Sequence, residues 1–146
     1  MKRFVYLLTG LLFVANMTVA ADIYTTDSGV LPEKANVFLK KHFKEKTIAH
    51  ISIEKNLLGI KDYEVILMDG SEIEFDRAGE WKEINLTNGK VPDEIVLPSV
   101  LEYIRTRFKD NFIVAIDRTD GEIDVDLNNG VELEFNMKGK ILKVDF

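Results

Sequence analysis

The 146-residue chain contains no cysteine. That absence excludes disulfides, thiolate nucleophiles, sulfur ligands and attachment through a lipid-modified cysteine, so stability has to come from a packed core. Histidine is scarce as well. His42 and His50 stand alone, without the short spacing to further ligands that a structural zinc site requires. No serine lies in a nucleophile elbow, and no excess of positive charge is present, since 19 basic residues face 25 acidic ones. The net charge of −6 disfavours non-specific binding to nucleic acid or to an anionic membrane face.

Long apolar runs are also missing, apart from one at the start. Lys2 and Arg3 precede an apolar stretch from Phe4 to Val14, followed by the small residues Val19, Ala20 and Ala21. The stretch is shorter than the ~20 residues of a spanning helix, and the pattern is that of a secretory signal peptide over residues 1–21. Its removal leaves 17 basic and 25 acidic residues, a charge of −8. The mature chain is therefore expected to be periplasmic or secreted, with no insertion into a membrane.

What is present is a duplication. The stretch EIEFDRAGEW at residues 72–81 recurs as ELEFNMKGKI at 132–141, an offset of 60. Residues 22–30 read as a flexible leader. Pro32 then opens an amphipathic helix with Leu31, Ala35, Phe38, Leu39, His42 and Phe43 on one side. From Ile48 the period changes to alternation, giving strands at 48–53, 63–68, 72–76 and 81–86, with Asp69-Gly70 as a hairpin turn. Residues 87–96 form a linker. Pro98 opens a second helix, followed by strands at 112–117, 122–128, 131–136 and 140–145, with Asn129-Gly130 as the matching turn.

The expectation is an α+β fold of two tandem repeats, residues 31–86 and 97–146, each one helix plus a four-stranded antiparallel sheet. The sheets should join edge to edge, with both helices on one face and the other face open. The repeated Leu-Pro helix start, the Tyr-Glu-Val strand, the Glu-Ile/Leu-Glu-Phe strand and the Gly turns resemble the PepSY-like family, also called β-lactamase-inhibitor-like. The resemblance runs from Leu31 to Phe146. It implies a fold like that of the β-lactamase inhibitor protein and a periplasmic home; it implies no catalytic residue.

Asp124, Asp126, Asn128 and Gly130 mimic the start of a calcium loop but miss its sixth-position Gly and twelfth-position Glu, so they read as the wet face of a strand. No metal and no cofactor are expected. By alternation, Ile66, Met68 and Trp81 point to the open face as an apolar cluster ringed by Glu64, Glu72, Glu74 and Glu83; a one-residue slip in register would instead turn such residues inward. The function expected is that of a non-enzymatic module holding an envelope protein or peptide through Trp81, Met68, Ile66, Glu72, Glu74 and Glu83, as an inhibitor or an accessory factor. The alternative is a small-ligand or cation sensor.

Overall fold

The computed structural model describes residues 23–146, so the expected signal peptide lies outside the described residues. Nine strands form a single antiparallel sheet in chain order. They are β1 (Ile23–Thr25), β2 (Ile48–Asn56), β3 (Gly59–Leu67), β4 (Glu72–Asp76), β5 (Trp81–Asn85), β6 (Ile113–Asp117), β7 (Glu122–Leu127), β8 (Glu132–Asn136) and β9 (Ile141–Asp145). Helix α1 (Glu33–His42) lies between β1 and β2, and α2 (Pro98–Arg107) between β5 and β6.

This sheet corrects the expectation of two helix-plus-four-strand units, although the fold is α+β. Strand β5 pairs with β6, so the two halves share one hydrogen-bonded sheet rather than forming two. The presumed flexible leader contributes a ninth strand, with Ile23 opposite Ile53 and Thr25 opposite Ile51. Both pairings satisfy backbone groups that a strand edge would otherwise leave open.

Each helix follows from local chemistry. Pro98 occupies the first turn of α2, where its missing N–H costs nothing, and Pro32 stands just ahead of α1. Basic residues fill both last turns, Lys40 and Lys41 in one and Arg105 and Arg107 in the other, complementing the helix dipole. Phe43 and Phe108 end the helices by donating their N–H groups to Leu39 O and Ile104 O.

The core lies between helices and sheet. Register aligns Ile51, Val65, Ile73, Ile84, Ile116, Val125, Leu133 and Val144 in one row across eight strands. Residues aligned in this way share a face, so both helices cover the same side. Phe38 of α1 meets Phe75 edge-on at 5.7 Å, and Tyr103 of α2 meets Phe135 the same way at 5.5 Å. Gly79 and Gly139 end matching turns with φ of 83° and 76°, a backbone conformation that favours glycine. Asp76 and Asn136 close these turns by accepting from the backbone N–H groups two and four residues on.

Candidate functional site: the open face of the sheet

One step along each strand from the apolar row, a second row crosses the opposite face. Tyr24, Ser52, Glu64, Glu74, Glu83, Asp117, Asp124, Glu134 and Lys143 lie in register across all nine strands. Six consecutive members are carboxylates, about 4.8 Å apart at ordinary strand spacing. Glu72, Asp126 and Glu132 flank the row on the same face, with Ile66 opposite Glu72. Like charges directly opposite one another destabilise a sheet, so this row is held in place by the rest of the fold.

The electrostatic consequence is sharpest at Glu83. Burial, then the neighbouring charges of Asp117, Glu74 and Glu72, push its carboxyl up to about 7 despite the opposing pull of Lys82. Burial and neighbouring acids also raise Asp124 and Asp126. Lys82 extends over the first half of the row, reaching Glu74 Oε1 at 2.5 Å and Asp62 Oδ1 at 3.1 Å. Burial pulls its ammonium down, but these partners outweigh that and leave it raised. The Asp62 side chain is only 8% exposed. Its Oδ2 accepts no hydrogen bond, although Lys61 Nζ stands 3.3 Å away. Asp62, Glu54, Glu64, Glu74, Ser52 and Tyr24 line an open depression at this end of the face.

Of the residues expected to form the partner site, Ile66, Glu72, Glu74 and Glu83 do share this face. Trp81 does not. Glu74 pairs with Glu83, but Phe75 pairs with Trp81, so Lys82 is an extra residue in β5. That bulge puts Lys82 and Glu83 on the open face in succession and turns Trp81 into the core at 8% exposure. There its ring stacks on Phe38 at 6.4 Å, while Arg118 covers it at 3.6 Å and donates from Nε and Nη2 to Trp81 O. Met68 is 70% exposed just beyond the end of β3. The apolar cluster expected around Trp81 is therefore absent, and the face is dominated by charge.

Sequence reasoning named the acids of the first half but not Asp117, Asp124 and Glu134 as their continuation. The hairpin turns Asp69-Gly70 and Asn129-Gly130 define register within each half, while the alignment of Glu83 with Asp117 depends on a pairing that spans α2. His50 lies on the open face near Tyr24, with ring centroids 6.1 Å apart. His42 packs on Phe38 at 4.8 Å, and burial lowers its pKa. Among the described residues no group of three or more His, Asp or Glu is disposed to hold a metal ion. None of the described helices is long and apolar enough to cross a membrane.

With this geometry, the family model described as β-lactamase-inhibitor-like, PepSY-like matches residues 61–143. The chain belongs to the PepSY-like family. Among solved structures it resembles a "putative periplasmic protein of unknown function" from Bacteroides vulgatus, at 34% identity and a TM-score of 0.80, covering 86% of this chain and 100% of that one. A "putative calcium-regulated periplasmic protein" from Bacteroides thetaiotaomicron is 30% identical with a TM-score of 0.80, over 86% of this chain and 97% of that one. A second "putative periplasmic protein" from Bacteroides vulgatus is 29% identical with a TM-score of 0.81, over 87% and 98%. No curated protein matches the chain.

Proposed function

We propose that this PepSY-like protein is a non-enzymatic periplasmic binding module that holds a basic segment of a protein or peptide on its open sheet face. The observation that carries this reading is the row of six carboxylates in cross-strand register, with Glu83 at its centre pushed up to about 7. A row of like charges is relieved by a ligand carrying the opposite charge, and an extended chain of cations matches its linear form. The periplasmic assignment rests on the similar proteins.

A second reading, a calcium sensor on the same face, is favoured by the acidic row together with the calcium regulation ascribed to one of those relatives. Calorimetry with an octalysine peptide and, separately, with calcium chloride distinguishes the two. The first reading requires salt-sensitive peptide binding that is lost in Glu83→Gln/Asp117→Asn/Asp124→Asn. It also requires that binding survive when three acids on or just after the helices are neutralised instead: Glu33 of α1, Glu102 of α2 and Asp110 in the turn that follows α2. Equal loss in both triple variants would reduce the effect to net charge. Heat with calcium and none with peptide would favour the sensor.

A further inference from the structure

The two halves end in equivalent strands, but only one of these has a neighbour beyond it. Strand β5 is followed in the sheet by β6, whereas β9 is the last strand, and among the described residues none pairs with its outer edge. The offset of 60 matches Trp81, Ile84 and Leu86 to Ile141, Val144 and Phe146. The first three are at most 8% exposed. Ile141 and Val144 are only partly buried, and Phe146 is 95% exposed. Strand β9 thus keeps the apolar side chains of a covered strand without the cover.

The repeat also shows which backbone groups that edge offers. In β5 the Leu86 N–H donates to Val114 O, and Lys82 O accepts from the Arg118 N–H, so residues 82 and 86 turn their backbone groups toward β6. Both strands carry a bulge at the same place, opposite Glu74–Phe75 in β5 and Glu134–Phe135 in β9. By that equivalence the N–H and C=O groups of Leu142 and Val144 point outward, an open template for another strand. Lys143 and Asp145, opposite Glu134 and Glu132, project from the open face.

We infer that β9 is a self-association edge, to which a second copy of this chain adds antiparallel, with Val144 opposite the partner's Val144, joining two nine-stranded sheets into one. The two valines, facing each other across a twofold axis, exchange both of their backbone hydrogen bonds. One step along, Lys143 falls opposite the partner's Asp145, and Asp145 opposite the partner's Lys143, in the closely spaced arrangement where side chains interact most. Moving the axis by one residue in either direction would instead set Lys143 or Asp145 opposite itself, and facing like charges destabilise a sheet. The edge is therefore complementary to itself in one register. Across the seam the open-face order becomes Glu134, Lys143, the partner's Asp145 and the partner's Glu132, so a cation from each copy breaks the run of acids. Within one chain Lys143 Nζ already reaches Asp145 Oδ2 at 2.5 Å, and pairing exchanges this contact for its intermolecular equivalent. This inference is independent of any ligand on the acidic face.

Charge reversal tests the register on the purified protein. Lys143→Asp sets aspartates against aspartates across the seam, and Asp145→Lys sets lysines against lysines. The wild type should sediment as a dimer whose dissociation constant rises at least about ten-fold in either variant, because two attractive cross-strand pairs become repulsive. An equimolar mixture of the two variants restores opposite charges at both places and should recover dimers, a result that loss of folding could not produce. Since the chain has no cysteine, Val144→Cys should form a disulfide-linked dimer on mild oxidation, facing residues of a hydrogen-bonded pair lying about 5.5 Å apart. Leu142→Cys, displaced about 13 Å along the strands from its counterpart, should not. A wild type that stays monomeric at millimolar concentration overturns the pairing. So does a dimer indifferent to both reversals, and cross-linking at 142 as fast as at 144 overturns the register.

Discussion

Two adjacent rows of residues cross the same sheet, one step apart along each strand. Ile73, Ile84, Ile116, Val125 and Leu133 make one; Glu74, Glu83, Asp117, Asp124 and Glu134 make the other. The first is at most 3% exposed throughout and packs beneath both helices. The second gathers like charges at strand spacing, with burial and mutual repulsion raising Glu83 and Asp124. The difference separates what holds the protein together from what is available for binding. Stability comes from the apolar row, and the acidic row draws on it.

Residues 81, 82 and 83 test this division, because the bulge assigns three successive side chains to different tasks. Trp81→Ala should have the largest effect. It removes a buried ring together with its contacts to Phe38 and Arg118, at a cost of about 3–5 kcal/mol. Ile141, which occupies the corresponding place opposite Phe135, is only partly buried, and Ile141→Ala should cost roughly half as much or less. Urea unfolding measures both. Stability unchanged in Trp81→Ala would mean that the ring does not belong to the core.

Trp81 also marks the limit of what the sequence could reveal. Helices, hairpins and the recurrence at 60 residues are written in local chemistry: prolines at helix starts, apolar residues at helical spacing, and Asp-Gly or Asn-Gly between alternating runs. Strict alternation assigns Trp81 to the open face because it counts from Ile84 without the extra residue Lys82. The bulge has no glycine or proline to announce it. Strand β1 is similarly silent, since three residues are too few to establish a period, and its pairing with β2 spans α1. The acidic row had the same obstacle. Glu64, Glu74, Glu83 and Asp124 were visible as outward acids, but the alignment of the first three with those of the second half depends on β5 meeting β6 across the 27 residues that separate the strands.

Lys82→Met should have a smaller effect of the same sign. The substitution keeps the side chain's apolar length but removes the cation from Glu74 and from the buried Asp62. Leaving that carboxylate short of a partner should cost about 1–3 kcal/mol, scaled to a buried polar group that loses its hydrogen bond. The melting temperature should recover in Lys82→Met/Asp62→Asn, where the uncompensated charge is absent. Failure of the second substitution to restore stability would show that Lys82 acts through packing rather than through its charge.

Glu83→Gln is the smallest change and should reverse the sign. A carboxylate whose folded pKa is raised binds its proton more tightly folded than unfolded, so its contribution to stability falls as pH rises from about 4.5 to about 7. At pH 8 the wild type bears the full repulsion from Glu74 and Asp117, and glutamine does not. At about 0.2–1 kcal/mol for each opposed pair, the variant should gain roughly 1 kcal/mol, or about 3–5 °C in melting temperature. Near pH 4 the wild-type carboxyl is protonated and the two proteins should melt together. Asp69, held down to about 2 chiefly by its hydrogen bond from Lys46, loses its contribution only at still lower pH and equally in both. A gain at pH 8 that persists unchanged at pH 4 would trace the effect to packing. A loss at pH 8 would mean that a cation from elsewhere in the fold already compensates the row, leaving the open face without the repulsion on which its binding role rests.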